Sequence, residues 1–93
     1  MNKNQEYTEN DIKNIVNQFI KNNFLFSNQN ENIDENISLY EKRIVDSTGV
    51  LEVVDFLEET FGIKIEDDEL VPDNLDSIEK ISKFIQKKIN NAT

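Results

Sequence analysis

Ser47 is the residue best placed to carry chemistry. It sits in Asp46-Ser47-Thr48, at the head of an amphipathic, acid-rich run. At the start of a helix, unpaired backbone N–H groups and the helix dipole favour negative charge. A serine hydroxyl there suits esterification by a phosphate. The alternative is a plain N-cap, a role serine fills without modification. The chain contains its own control, Asp76-Ser77-Ile78, which also opens a helical pattern. Context separates the two. Ser47 is followed by Thr48 and Gly49, which leave open backbone around the hydroxyl, then by an acidic outer face and the ending Phe61-Gly62-Ile63. Ser77 leads into a basic last helix.

Other chemistries lack their residues. The 93-residue chain has no cysteine and no histidine. Disulfides and Ser–His or Cys–His nucleophile pairs are therefore impossible, and a zinc site would have to be built from carboxylates alone. No Gly-rich loop is present to cradle a phosphate. The chain is not expected to be an enzyme in its own right. Glu66-Asp67-Asp68-Glu69 lacks the spaced ligands and central glycine of a calcium loop, so no dedicated metal site is expected.

The net charge of −9 argues against nucleic acid and against anionic membrane surfaces as partners. Residues 46–79 hold twelve acids against one base, Lys64, whereas 80–93 carry Lys80, Lys83, Lys87 and Lys88 and no acid. Acid gathered beside Ser47 points to basic protein partners, drawn by long-range attraction. The N-terminus has no apolar targeting segment, and no stretch is long enough to insert in a bilayer. A cytoplasmic monomer is the expectation.

Three apolar stripes must position these residues. Thr8 with Asp11 forms an acidic capping box ahead of Ile12, Ile15, Val16, Phe19 and Ile20, a stripe at helical spacing. That helix fades around Asn22-Asn23, with Phe24, Leu25 and Phe26 available to extend its packing surface. Polar, Asn-rich residues from 27 read as a long loop to about Val45, tacked to the core by Ile33, Ile37, Leu39, Tyr40 and Ile44. The second helix spans about Ser47–Phe61. Val50, Val53, Val54, Leu57 and Phe61 share one side, and Thr48, Glu52, Asp55 and Glu59 the other, with Leu51 and Glu58 on the border. Gly62 suits a left-handed helix end. Short helical turns follow at 66–70 and 71–75. Asp76 is the expected cap of the last helix, with Glu79 at the box position and Ile78, Ile81, Phe84, Ile85 and Ile89 as its stripe. Each fully buried large apolar side chain contributes about 1.5–3 kcal/mol. The expected fold is a single all-α domain over 1–93. It is a small helical bundle of three main helices plus a short third one, with a long loop after the first and loose ends at 1–7 and 90–93.

From about Ile44 to Ile85 the chain resembles a carrier domain of the acyl carrier protein family. The resemblance rests on Asp46-Ser47, on Glu58-Glu59-Thr60-Phe61-Gly62-Ile63-Lys64-Ile65 and on Leu75-Asp76-Ser77-Ile78, with a first helix and long loop ahead of them. It implies a 4'-phosphopantetheine arm, moved from coenzyme A onto Ser47 by a phosphopantetheinyl transferase. The arm's thiol would hold an acyl or aminoacyl group as a thioester. It further implies an AMP-forming ligase or acyltransferase that loads the arm, and a downstream synthase, dehydrogenase or transferase that uses it. Asp46, Thr48, Leu51, Glu52, Asp55, Glu58 and Glu59 would form the partner-binding face. Thr48 and Gly49 stand where fatty-acid carriers usually have leucine and an acid. The stretch Leu70-Val71-Pro72-Asp73-Asn74-Leu75-Asp76-Ser77-Ile78 more closely resembles free-standing carriers of specialised natural-product metabolism, loaded by an AMP-forming ligase. The competing expectation is an unmodified acidic helical interaction domain.

Overall fold

The computed structural model describes residues 7–24 and 33–91. Its elements, in chain order, are α1 (Glu9–Phe24), α2 (Gly49–Phe61), a 3-10 turn (Asp67–Glu69), α3 (Pro72–Leu75) and α4 (Ile78–Asn91). The described residues are all-α, with no strand among them. The fold class is therefore the expected small helical bundle. Expectations placed on residues 1–6, Leu25, Phe26, 27–32 and 92–93 lie outside the described residues.

Local signals start and stop these helices. Thr8 caps α1 reciprocally: its Oγ1 accepts the Asp11 N–H at 3.1 Å, and the Asp11 carboxylate accepts the Thr8 N–H at 3.1 Å. The helix runs through Asn22-Asn23 to Phe24. Gly62 ends α2 at φ 65, donating its N–H to the Glu58 carbonyl at 3.0 Å. Pro72 opens α3, where its missing N–H costs nothing.

α4 is the central packing element, touching α1, α3 and α2. The core is Ile12, Val16 and Ile20 of α1, Val53, Val54 and Leu57 of α2, and Ile78, Ile81, Phe84 and Ile85 of α4. Phe56 lies between the two faces read from the sequence. It stacks on Phe19 with ring centroids 4.0 Å apart and joins α2 to α1. The ends are better anchored than expected. Tyr7 is half-buried, edge-on to Phe61 at 4.8 Å, and α4 continues to Asn91.

The described part of the long connection is stitched down. The Lys13 ammonium pairs with Glu35 at 2.6 Å, and that contact raises the lysine's pKa. Glu79 donates its N–H to the Glu35 carbonyl at 2.9 Å. Residues 38–44 then form one capped helical turn. Ser38 Oγ accepts the Glu41 N–H at 3.0 Å. At the far end Arg43 donates to the Tyr40 carbonyl at 3.0 Å and Ile44 to the Leu39 carbonyl at 2.9 Å, the Schellman pattern. Arg43 occupies its left-handed position at φ 57, where glycine is usual. Ile33 and Leu39 are buried and Ile37 and Ile44 half-buried, but Tyr40, expected to help tack the loop down, is 65% exposed.

No helix among the described residues is long and apolar enough to cross a membrane.

Candidate functional site

Ser47 lies on the surface at the N-terminal end of α2. Its neighbour performs the capping. Asp46 Oδ1 accepts the Gly49 N–H at 2.7 Å, and the Asp46 carbonyl accepts the Val50 N–H at 2.9 Å. With Asp46 as the effective cap, Ser47 occupies the first helical position and its hydroxyl is not needed by the helix. Among the described residues no hydrogen bond engages that hydroxyl or the backbone N–H groups of Ser47 and Thr48. An exposed hydroxyl oxygen therefore stands beside backbone donors that no described residue engages, at the electropositive end of a 13-residue helix. These features fit a covalently attached phosphate ester.

Gly49 corrects one expectation. It does not leave open backbone beside the hydroxyl but is buried. A Cβ there would come within 2.8 Å of Phe24 Cε1 and 3.1 Å of Asp46 Oδ1. Glycine at this position is what lets the ring at the end of α1 sit against the first turn of α2.

The other proposed contact residues divide into two groups. Asp46, Thr48, Leu51, Glu52, Asp55 and Glu59 are exposed, Leu51 at 54%. Asp55 and Glu59 border one shallow acidic depression with Glu58. Glu58 is also committed inward, because its Oε2 accepts the Ile65 N–H at 2.8 Å and ties the chain after Gly62 back to α2.

Beside the cap lies a feature that the sequence did not single out. A groove of about 170 Å³ is lined by Asp46 and Val50 of the α2 start, Leu39 and Tyr40 of the capped turn, and Leu70 and Val71 ahead of α3, with Leu75 and Asp76 closing it. A preformed apolar cavity of about 150 Å³ accommodates a benzene-sized group. The groove is on that scale. The clue in the sequence was weak: Tyr40 and Val71 are apolar residues in irregular segments, where no period assigns a face.

The second Asp-Ser pair also departs from expectation. Ser77, not Asp76, caps α4: Ser77 Oγ accepts the Lys80 N–H at 3.1 Å and its carbonyl accepts the Ile81 N–H at 2.9 Å. Asp76 instead reaches across to the capped turn. Its carbonyl accepts the Leu39 N–H at 2.7 Å and its carboxylate the Tyr40 N–H at 3.2 Å. Glu79 makes no capping box. Its N–H goes to Glu35, and its carboxylate pairs with Lys83 at 3.4 Å.

In the acidic stretch after α2, Glu66 and Glu69 cap the 3-10 turn reciprocally. The Glu66 N–H and, next, the Lys88 ammonium at 2.9 Å hold the Glu69 carboxyl below the usual glutamate range. No protein-family model matches the chain, and no curated protein sequence is significantly similar to it.

Proposed function

We propose that the chain is a carrier protein, modified at Ser47 with 4'-phosphopantetheine, that presents a thioester-bound acyl or aminoacyl group to partner enzymes. The observation that carries this reading is the division of labour at the start of α2. Asp46 takes the capping bonds, and the Ser47 hydroxyl is left exposed and unbonded among the described residues. A serine needed only for capping would use its oxygen for that purpose.

The arm, when attached, supplies a terminal thiol, which a chain without cysteine otherwise lacks. The chain's own residues position that arm. The N–H groups of Ser47 and Thr48, engaged by no described residue, would favour an anion attached at the hydroxyl. Glu52, Asp55 and Glu59 offer exposed acid to basic patches on a transferase, on the ligase or acyltransferase that loads cargo, and on downstream enzymes of specialised metabolism. Apolar space beside Asp46 suits a compact cargo. The chain itself performs no reaction in this reading.

Intact mass after incubation with coenzyme A and a broad-specificity phosphopantetheinyl transferase tests the proposal. The wild-type chain is expected to gain one phosphopantetheine and the Ser47→Ala variant none. An unchanged wild-type mass with every competent transferase would favour the other reading, an unmodified acidic domain that docks through α2.

A further inference from the structure

Residues 38–45 lead directly into Asp46-Ser47, and the outer part of that turn has no side-chain anchor. Leu39 and Val45 are buried, but Tyr40, Glu41, Lys42 and Arg43 between them are exposed. Hydrogen bonds set the course of the turn instead. Those that tie it to the rest of the described chain both end on Asp76. The Asp76 carbonyl accepts the Leu39 N–H at 2.7 Å, and Asp76 Oδ1 accepts the Tyr40 N–H at 3.2 Å. Inside the turn, the Leu39 carbonyl accepts the Ile44 N–H at 2.9 Å and the Val45 N–H at 3.2 Å. The next residue is Asp46, whose Oδ1 caps α2 through the Gly49 N–H. A short run of bonds therefore links Asp76 to the α2 cap. Asp76, Tyr40 and Asp46 also line the same groove of about 170 Å³, so they are neighbours in space.

Asp76 is itself firmly held. Its N–H donates to the Pro72 carbonyl at 3.0 Å at the end of α3, and the two residues after it, Ser77 and Ile78, are buried at the start of α4. The turn that it holds is strained. Arg43 stands at φ 57, a conformation that an L-residue keeps only where its surroundings impose it. Without the carboxylate, the turn can relieve that strain by moving the residues just ahead of the cap.

Resting on the carrier reading, we propose that Asp76 is a positioning residue for the modification of Ser47. Its carboxylate braces the turn, which keeps Asp46 on the Gly49 N–H and leaves the Ser47 hydroxyl facing outward. The second Asp-Ser pair thus serves the first. Asp76 acts through the turn and touches neither Ser47 nor the coenzyme. When the brace is lost, the start of α2 spends part of its time uncapped, and a transferase that needs the capped state meets fewer competent chains.

Transfer from coenzyme A, with the carrier varied, tests this on the wild type, Asp76→Ala and Asp76→Asn. The alanine variant loses the bond to the Tyr40 N–H, whereas the asparagine keeps an oxygen able to accept it. Asp76→Ala should raise the KM for the carrier about fivefold with kcat within about twofold, the sign of a reduced competent fraction. Asp76→Asn should stay near wild type. Amide exchange read by NMR on the same chains supplies the second measurement. The Gly49 N–H should exchange faster in Asp76→Ala alone, with the α4 amide of Ile85 unchanged. Wild-type KM and wild-type Gly49 exchange in Asp76→Ala overturn the brace and leave the carrier reading standing. Faster Gly49 exchange at an unchanged KM also overturns the proposal, because the cap then loosens without consequence for Ser47. An equal KM rise in Asp76→Asn overturns it too, since charge rather than the Tyr40 bond would be responsible. Loss of protection throughout α4 in Asp76→Ala makes Asp76 a general stabiliser and overturns the positioning role. A wild-type chain that no transferase modifies overturns the carrier reading itself, and this proposal with it.

Discussion

Asp46-Ser47 and Asp76-Ser77 are the same dipeptide at the starts of two helices, yet the two residues exchange roles. Before α2 the aspartate caps and the serine is left exposed. Before α4 the serine caps, 4% exposed, and the aspartate turns away to hold the Leu39–Tyr40 turn. The residue that follows accounts for the difference. Ile78 is 1% exposed, so it draws Ser77 into the core, where an unsatisfied hydroxyl would be costly and the Lys80 N–H is within reach. Thr48 is exposed, so Ser47 stays at the surface and the cap moves back one residue to Asp46. Which of the two residues caps the helix therefore goes with the burial of the next side chain rather than with the dipeptide.

Paired substitutions break this comparison with the largest expected effect. Ser77→Ala should lower stability by about 1–2 kcal/mol, because it strips a buried cap and strands the Lys80 N–H. In a domain of this size, each kcal/mol corresponds to a melting decrease of about 4–8 °C. The mass gain at Ser47 should persist. Ser47→Ala should do the opposite, abolishing the mass gain with melting within about 2 °C. If Ser47→Ala destabilises as much as Ser77→Ala, the hydroxyl at 47 is a structural cap and the contrast fails.

A second substitution sharpens the α2 side. Gly49→Ala gains about 1 kcal/mol of helix propensity but drives a Cβ to 2.8 Å from the Phe24 ring. Overpacking typically costs about 1–3 kcal/mol, so the expected net is a loss of about 1 kcal/mol. In a Phe24→Ala background the ring contact is gone and only the 3.1 Å approach to Asp46 Oδ1 remains, so the loss should shrink. Denaturant midpoints of the four chains provide the check. Equal effects of Gly49→Ala in both backgrounds would show that the ring does not press on the α2 start.

The features legible in the sequence are those whose causes are local. The Thr8–Asp11 box, the left-handed Gly62 and the three stripes each depend on residues within a few positions. Their periods or caps therefore sufficed. The missed features have distant partners. The carboxylate of Asp76 finds the Tyr40 N–H 36 residues earlier, and Gly49 answers to Phe24 on another helix. No local pattern encodes either contact. Helical spacing puts Glu58 on the border between the apolar and acidic sides, but only the return of the chain after Gly62 brings the Ile65 N–H to its carboxylate. The turn at 38–44 was hidden for a different reason. Its left-handed position normally announces itself through glycine or asparagine, and here an arginine fills it. Of the two neighbours that imply an open hydroxyl at Ser47, Thr48 is exposed and Gly49 is buried.

The smallest expected effect concerns the turn that Asp76 holds. Arg43 at φ 57 bears the steric cost of a left-handed L-residue, about 1–2 kcal/mol. Arg43→Gly removes that cost but adds unfolded-chain freedom equivalent to about 0.5–1 kcal/mol. The balance is a gain of about 0–1.5 kcal/mol, read as a raised urea midpoint at constant slope. The same substitution in an Asp76→Ala background asks whether Asp76 enforces the turn. If it does, freeing the Tyr40 N–H lets the segment leave the left-handed conformation, even with the backbone carbonyl of residue 76 still on the Leu39 N–H. The steric gain then vanishes, and only the entropic loss remains. Arg43→Gly should therefore stabilise the chain with Asp76 present and slightly destabilise it without. An equal gain in both backgrounds would mean that Ser38, the Schellman bonds and the residue-76 carbonyl hold the turn without the Asp76 carboxylate.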